Sequence, residues 1–303
     1  KLNLNVLYNN HSSNYLGEEL DIRLVTSGRD LLNFDVEENE RKKSALTAVL
    51  FGDPEFDLIS EQLTNEDHII SRDLEQYWID SLSRGWKVSS LPGSAIEVRN
   101  ISEIMQKNKW EVSSYTGNNA VEANVKNVNS PTVLHVATHG YFFNDVMLKK
   151  NKSNRTLDDD SKKAIKNPLL RSGLLFAGAK NTLNGNPPKN GDNGLLTAYE
   201  ASFMNLRGTD LVVLSACETA RGEIKNGEGV YGLQRAMQQA GAKNIIMSMW
   251  KVNDKVTQEF MTMFYDSWLS GSTKREAFKS TQQKIKEIYK HPYYWGAFVM
   301  IGN

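Results

Sequence analysis

Cysteine is almost missing from this chain: 303 residues hold one thiol, Cys217. A single thiol excludes an internal disulfide framework and any metal site built on several cysteines. It fits a reducing compartment, and the expected location is cytoplasmic. An excess of one charge is also missing, because Lys+Arg and Asp+Glu each number 36. Bulk electrostatics therefore point to no direct nucleic-acid partner and to no anionic membrane surface. No apolar run approaches the roughly 20 residues that a membrane helix needs. The opening stretch, KLNLNVLYNN, lacks the charged-then-apolar pattern of a secretory leader. It lacks an initiating Met as well, so the chain reads as a fragment or a processed product.

What is present is enough apolar material for a sizeable core, 40% of the residues. The length suits one large domain or two ordinary ones. Residues 45–51, ALTAVLF, read as a buried strand stopped by Gly52-Asp53-Pro54. Leu91-Pro92-Gly93-Ser94 opens a helix to about residue 107, with Ser94 as the expected N-cap and Glu97 three residues on. A short strand is expected over 110–115 and a short helix over 120–128. TVLHVAT, 132–138, is a second core strand, ending at His139-Gly140. Residues 144–167 are densely charged and read as an exposed insertion, and 184–194 as a second loop. Residues 172–178 suit a short strand or hairpin arm. Further on, helices are expected over 196–204, 229–240, 254–269 and 273–289, and strands over 210–216, 244–250 and 295–301. Strands alternating with helices indicate an α/β fold with a mainly parallel sheet.

In such sheets, sites form beyond the carboxyl ends of strands. Two strands here end in reactive side chains, one at His139 and one at Cys217. An imidazole beside a thiol raises the thiolate fraction or takes the thiol proton. Gly140 lets a substrate approach the backbone, and the amides of Gly140 and Cys217 are candidates for an oxyanion hole. A lone Cys beside an apolar strand also packs well as a small hydrophobe. The pattern alone leaves both readings of Cys217 open.

His135 is expected on the same strand and face as His139. No third ligand is visible nearby, so no metal is expected, and His135 is read as a buried neutral imidazole bonded to backbone. His11, His68 and His291 stand without evident company. NGEGVYG, 226–232, is glycine-rich at a helix start but matches neither phosphate-binding fingerprint. No cofactor is expected. Asp254 either caps the helix that begins there or faces the site and receives a cationic side chain.

The segments HVATHGYFF, NPLLRSGLLFAGA, LTAYEASFMNLRGTDLVVLSACETARGE, NGEGVYGLQRAMQQAGAKNIIMSMWKVND and YYWGAFVMIGN together resemble a CHAT domain. CHAT domains are caspase- and separase-like cysteine peptidases often fused to tetratricopeptide repeats. The resemblance runs from about Tyr15 to Asn303. It implies a caspase-hemoglobinase-like α/β/α sandwich with a mostly parallel central sheet. Residues 1–90 would be the N-terminal part of the CHAT region, truncated at its start. Residues 91–303 would be the catalytic core carrying the charged insertion.

The resemblance implies a His/Cys dyad, His139 in the ATHG motif and Cys217 in the SACET motif. It also implies a protein substrate and control by an N-terminal tetratricopeptide-repeat or sensor region. Some bacterial members act in antiphage defence, including cleavage of gasdermin-like targets. In the related separases an aspartate at the position of Asp254 accompanies cleavage after Arg. Asp254 is therefore a substrate-binding candidate for a basic P1 residue, with Glu218 a second. Two rival classes remain, a catalytically silent interaction module with the same fold and a nucleotide-binding domain using NGEGVYG.

Overall fold

The structure, a computed structural model, describes residues 3–25, 46–58, 88–142, 167–188, 192–215, 217–218 and 228–302; of 217–218 and 228–230 it gives the backbone only. Along the chain the elements are β1 (Tyr8–Asn9), β2 (Asn14–Tyr15), α1 (Leu16–Glu19), β3 (Thr47–Pro54), α2 (Pro92–Lys107), β4 (Glu111–Gly117), α3 (Glu122–Lys126) and β5 (Val133–Ala137). Then come β6 (His139–Phe142), β7 (Ser172–Leu175), α4 (Ala179–Leu183), β8 (Leu195–Thr197), α5 (Ala198–Ala201), β9 (Leu211–Leu214) and β10 (Cys217–Glu218). The last are α6 (Glu228–Ala240), β11 (Asn244–Ser248), α7 (Asp254–Leu269), α8 (Lys274–Tyr289), α9 (Pro292–Trp295) and β12 (Phe298–Ile301).

Six strands form the central sheet in the order β12-β11-β9-β5-β3-β4. All neighbours are parallel except β12 against β11. Every residue of β5, β9, β11 and β12 is buried, as strands covered on both faces must be. Alternate residues serve opposite faces. Leu134, Val136, Val212 and Leu214 pack with Leu233, Ala236 and Met237 of α6 on one side. Val133, Leu211 and Val213 pack with Ile101 of α2, Phe260 and Phe264 of α7, and Ala277 of α8 on the other. The molecule is an α/β/α sandwich with a mostly parallel sheet.

Residues 3–25 lie against the C-terminal helices. Asn3 Nδ2 donates to the Gly296 carbonyl at 2.7 Å, Asp21 pairs with Arg275 at 2.7 Å, and Leu24 bridges to Ile301. Among the described residues no helix is long and apolar enough to cross a membrane. The expected insertion at 144–167 lies, but for Asn167, outside the described residues.

Several expectations give way to local packing. Of the helix expected over 196–204 only one turn, α5, is helical; Leu196 and Thr197 belong to β8, and Thr197 and Glu200 close a capping box between them. Ser94 does not cap α2. Leu91 holds the cap position and Pro92 the first turn, where its missing N–H costs nothing. The Ser94 hydroxyl instead donates to the Leu91 carbonyl and accepts the Asp53 amide, both at 2.7 Å, which ties the helix start to the end of β3. Asp254 is not a cap either. Asn253 fills that position, its Oδ1 accepting the Lys255 amide at 2.8 Å.

A small second sheet, β10-β6-β7-β8, grows from the central one. The stretch expected as one strand through His139 breaks at Thr138, whose hydroxyl donates to the Leu175 carbonyl of β7. The chain leaves the central sheet after Ala137, turns, and re-pairs as β6. Because the turn intervenes, His135 and His139 belong to different sheets rather than to one face of one strand. The neighbouring β9 ends beside β5 with Leu214 opposite Val136, and its continuation re-pairs as β10.

Candidate active site

Re-pairing in the second sheet brings the two sequence candidates together. β10 runs parallel to β6 with Cys217 in register with His139 and Glu218 with Gly140. Paired strands lie about 4.8 Å apart, so the Cys217 and His139 backbones are direct neighbours. This lies at the carboxyl ends of β5 and β9. The chain reverses its direction of travel across the sheet between β3 and β5, and such a switch point opens a crevice at the strand ends.

His139 is 5% exposed. Its Nε2 lies 2.8 Å from the Ser89 carbonyl, in the segment just before α2. A carbonyl only accepts, so Nε2 carries the proton and Nδ1 is left as the basic nitrogen. On one face the imidazole stacks on Phe56, with centroids 5.3 Å apart and the planes at 27°. Phe56 is carried by the segment after β3, which is pinned to α4. There the Gly178 amide donates to the Glu55 carbonyl at 3.0 Å, the Lys180 amide to Phe56 at 2.8 Å, and Asn181 exchanges two bonds with Leu58. Burial pushes the His139 pKa below its ordinary value; the Ser89 bond opposes this, Lys251 adds to it and Asp254 opposes it. The imidazole is therefore neutral and able to accept a proton at neutral pH.

A cavity of about 90 Å³ opens beside the imidazole, lined among others by Ser89, Glu97, His139, Ser215, Asp254 and Thr257. Asp254 stands exposed as the first residue of α7, close to Gly93 at the start of α2. Of Glu218 the backbone position beside Gly140 is described and the side chain is not.

His135 is fully buried, and its partners are side chains rather than the expected backbone. Nε2 lies 2.9 Å from Glu97 Oε1 and Nδ1 3.2 Å from the Tyr265 hydroxyl. Burial, then the nearby Glu97 charge, raises the Tyr265 pKa well above its ordinary value, so the phenol stays protonated and donates to Nδ1. Nε2–H is then free to donate to Glu97, and the imidazole is satisfied while neutral. Among the described residues no group of three or more His, Cys, Asp or Glu side chains is placed to hold a metal ion.

Sequence reasoning did not find Phe56, the Ser89 carbonyl or the cavity role of Ser215 and Thr257. A backbone carbonyl carries no residue signature, and Phe56 reaches the site only through tertiary contacts. Ser215 had a usable signal, since it stands two residues before Cys217 at the end of a core strand.

The family that this chain matches is a caspase-like, peptidase-related one. The chain matches the CHAT domain family over residues 1–303 and belongs to it. It is 34% identical over 114 residues to tetratricopeptide repeat protein 28 of Mus musculus and 32% identical over 111 residues to that of Homo sapiens. Each match covers 36% of this chain but 4% of the relative, so the shared part is a small fraction of those proteins. A crystal structure of a Geobacter sulfurreducens protein aligns over 86% of this chain and 94% of its own, at 12% identity and a TM-score of 0.41.

Proposed function

We propose that this chain is a cysteine endopeptidase in which His139 and Cys217 act as a dyad on a protein substrate. The observation that carries the reading is the parallel register of His139 with Cys217, together with an imidazole held neutral and with its proton on Nε2. In this reading Nδ1 takes the Cys217 proton and the thiolate attacks the scissile carbonyl carbon. A C–S bond forms and the carbonyl becomes an oxyanion, held by the Gly140 and Cys217 amides. Such donors contribute about 3 kcal/mol each in enzymes where one has been removed. Collapse of the intermediate breaks the C–N bond, and the imidazolium returns its proton to the leaving amine. A water, deprotonated by His139, then cleaves the thioester and regenerates the thiol.

The substrate side chain before the cut is proposed to be basic, with Asp254 at the rim of the cavity and Glu218 beside Gly140 as candidate carboxylates. The relatives' repeats make an attached tetratricopeptide-repeat region the proposed regulatory partner. Defence by cutting a gasdermin-like, pore-forming target is the cellular role that the family resemblance offers.

The test is incubation with a diverse peptide library, with cut sites read by mass spectrometry beside Cys217→Ala and His139→Ala. Cleavage lost in both variants supports the dyad. Cleavage that survives Cys217→Ala overturns it. A wild-type chain that cuts nothing, alone or with its repeat region supplied, leaves the fold as an interaction module.

A further inference from the structure

Residues 3–25 and α8 leave between them a cavity of about 370 Å³, within the size range of small-molecule sites. α8 gives Ala277, Phe278 and Ile285 to the core. Its next stripe, Arg275, Lys279, Gln282 and Lys286, recurs at helical spacing and lines the cavity. A helix face covered by another segment of its own chain is ordinarily apolar, so a covered stripe of three cations and an amide points to something other than packing. The floor beneath is apolar: Phe278, Trp295 and Met300 are each 5% exposed. Gln282 is fixed over it, its Nε2 donating to the Trp295 and Phe298 carbonyls at 3.2 Å each. The lining holds one carboxylate, Glu18, and it pairs with Lys286. About 10 Å along the helix, Arg275 and Lys279 share a single carboxylate, Asp21. Positive charge is therefore in surplus at that end, in a chain that is neutral as a whole.

We propose that this cavity binds a small organic anion, a flat body of one or two rings that carries a single carboxylate or phosphate. The rings lie on Phe278, Trp295 and Met300. The anionic group meets Arg275 and Lys279, which their shared carboxylate does not fully neutralise. An ammonium has three donors, and Lys279 uses one on Asp21. Arg275 uses its Nε and one Nη on Asp21 and the Ile22 carbonyl, which leaves the other Nη. Hydrogen bonds from charged donors to a charged acceptor are the strong ones. Lys286 does not compete for the anion. It is paired with Glu18 and lies over the Tyr15 and Trp295 rings, 4.8 and 5.7 Å from their centroids. A neutral ring system leaves the surplus charge unanswered, and a cationic one is repelled by it. None of the residues lining this cavity lines the one beside His139, so the site stands or falls apart from the peptidase reading.

The test is calorimetric titration of this chain with 1-naphthyl phosphate and 1-naphthoate, beside inorganic phosphate and 1-naphthol as the separate halves. At least one of the two ring-bearing anions is expected to bind at a single site about 10-fold more tightly than either half, because a charge-assisted bond adds to ring burial. The tighter of the two tells phosphate from carboxylate. Lys279→Met keeps the stem and removes the charge; it should weaken that anion by about 10-fold and leave 1-naphthol unchanged. Gln283 is exposed at the cavity mouth, so Gln283→Trp keeps every cation and should block both the anion and 1-naphthol. Thermal midpoints close to wild type without ligand exclude a folding defect as the cause. Four results overturn the assignment: 1-naphthol as tight as the anions, inorganic phosphate as tight as 1-naphthyl phosphate, no binding by either ring-bearing anion, or an affinity unmoved in both variants.

Discussion

His139 is oriented by a backbone carbonyl and an aromatic face, and in the proposed peptidase that choice sets the pH at which it works. A carboxylate partner would stabilise the imidazolium; a carbonyl fixes the Nε2–H tautomer with a weaker pull on charge. Burial, with Phe56 against the ring, disfavours the charged form, and the pKa falls below the ordinary value of 6.5. Protonation of Nδ1 removes the base, so the acid limb of the kcat/KM profile for peptide cleavage is expected below pH 6.5. Phe56→Ala exposes one ring face to water and weakens the desolvation. Its acid limb should move back toward 6.5, and the lost stack, about 1 kcal/mol, should lower kcat/KM by several-fold. An NMR titration of His139 in both proteins reads the shift directly. A Phe56→Ala limb that stays in place or moves to lower pH contradicts this account of the histidine.

At the scale of elements, the small sheet is held by close approaches that leave no room for growth. A Cβ on Gly173 of β7 would sit 2.3 Å from the Leu196 carbonyl of β8 and 2.4 Å from the Tyr141 hydroxyl of β6. Gly173→Ala must therefore spread the three strands, at about 1–3 kcal/mol. The displacement falls on the strand that begins with His139, so activity should drop by more than the change in thermal midpoint alone would suggest. A variant with a lowered midpoint and full activity would show that β6 does not position the histidine.

The long helices and parallel strands were legible because their hydrophobic period agrees with the packing, as in α7, expected over 254–269 and found there, and in α8, expected over 273–289 and found over 274–289. The candidates His139 and Cys217 were legible as strand ends. The break at Thr138 was not, because an apolar run followed by His-Gly reads the same whether or not the strand changes sheets. Ser94 shows the same limit from the other side. Its cap-like spacing from Glu97 is real, yet tertiary contacts claim both residues, one for Asp53 and the other for His135.

At the scale of the molecule, the second sheet is also tied to the main body by a buried charged cluster. Lys126 of α3 pairs with Glu122 on its own helix and reaches Glu200 of α5 at 3.1 Å and Asp192 at 3.9 Å. Glu122 is 1% exposed and accepts the Gly194 amide at 3.0 Å, just before β8. Buried Tyr141 of β6 feels the Glu200 and Glu122 charges, and burial with those charges holds its phenol protonated. Three carboxylates share one ammonium, so with all of them ionised two negative charges are in excess. Burial, then Glu200, pushes the Glu122 pKa up to about 7 from an ordinary 4.5, against the pull of Lys126. Between those values the unfolded chain has released the proton and the native chain has kept it. Stability from this group is thus complete below about pH 4.5 and is lost as pH rises through about 7, by at most about 3 kcal/mol. Glu122→Gln keeps an oxygen for the Gly194 amide and cannot ionise. Thermal midpoints of wild type should therefore fall relative to Glu122→Gln between pH 5 and 8, converging at the acid end. Parallel curves across that window would mean that Lys126 keeps Glu122 ionised throughout and that the cluster is a permanent ion pair.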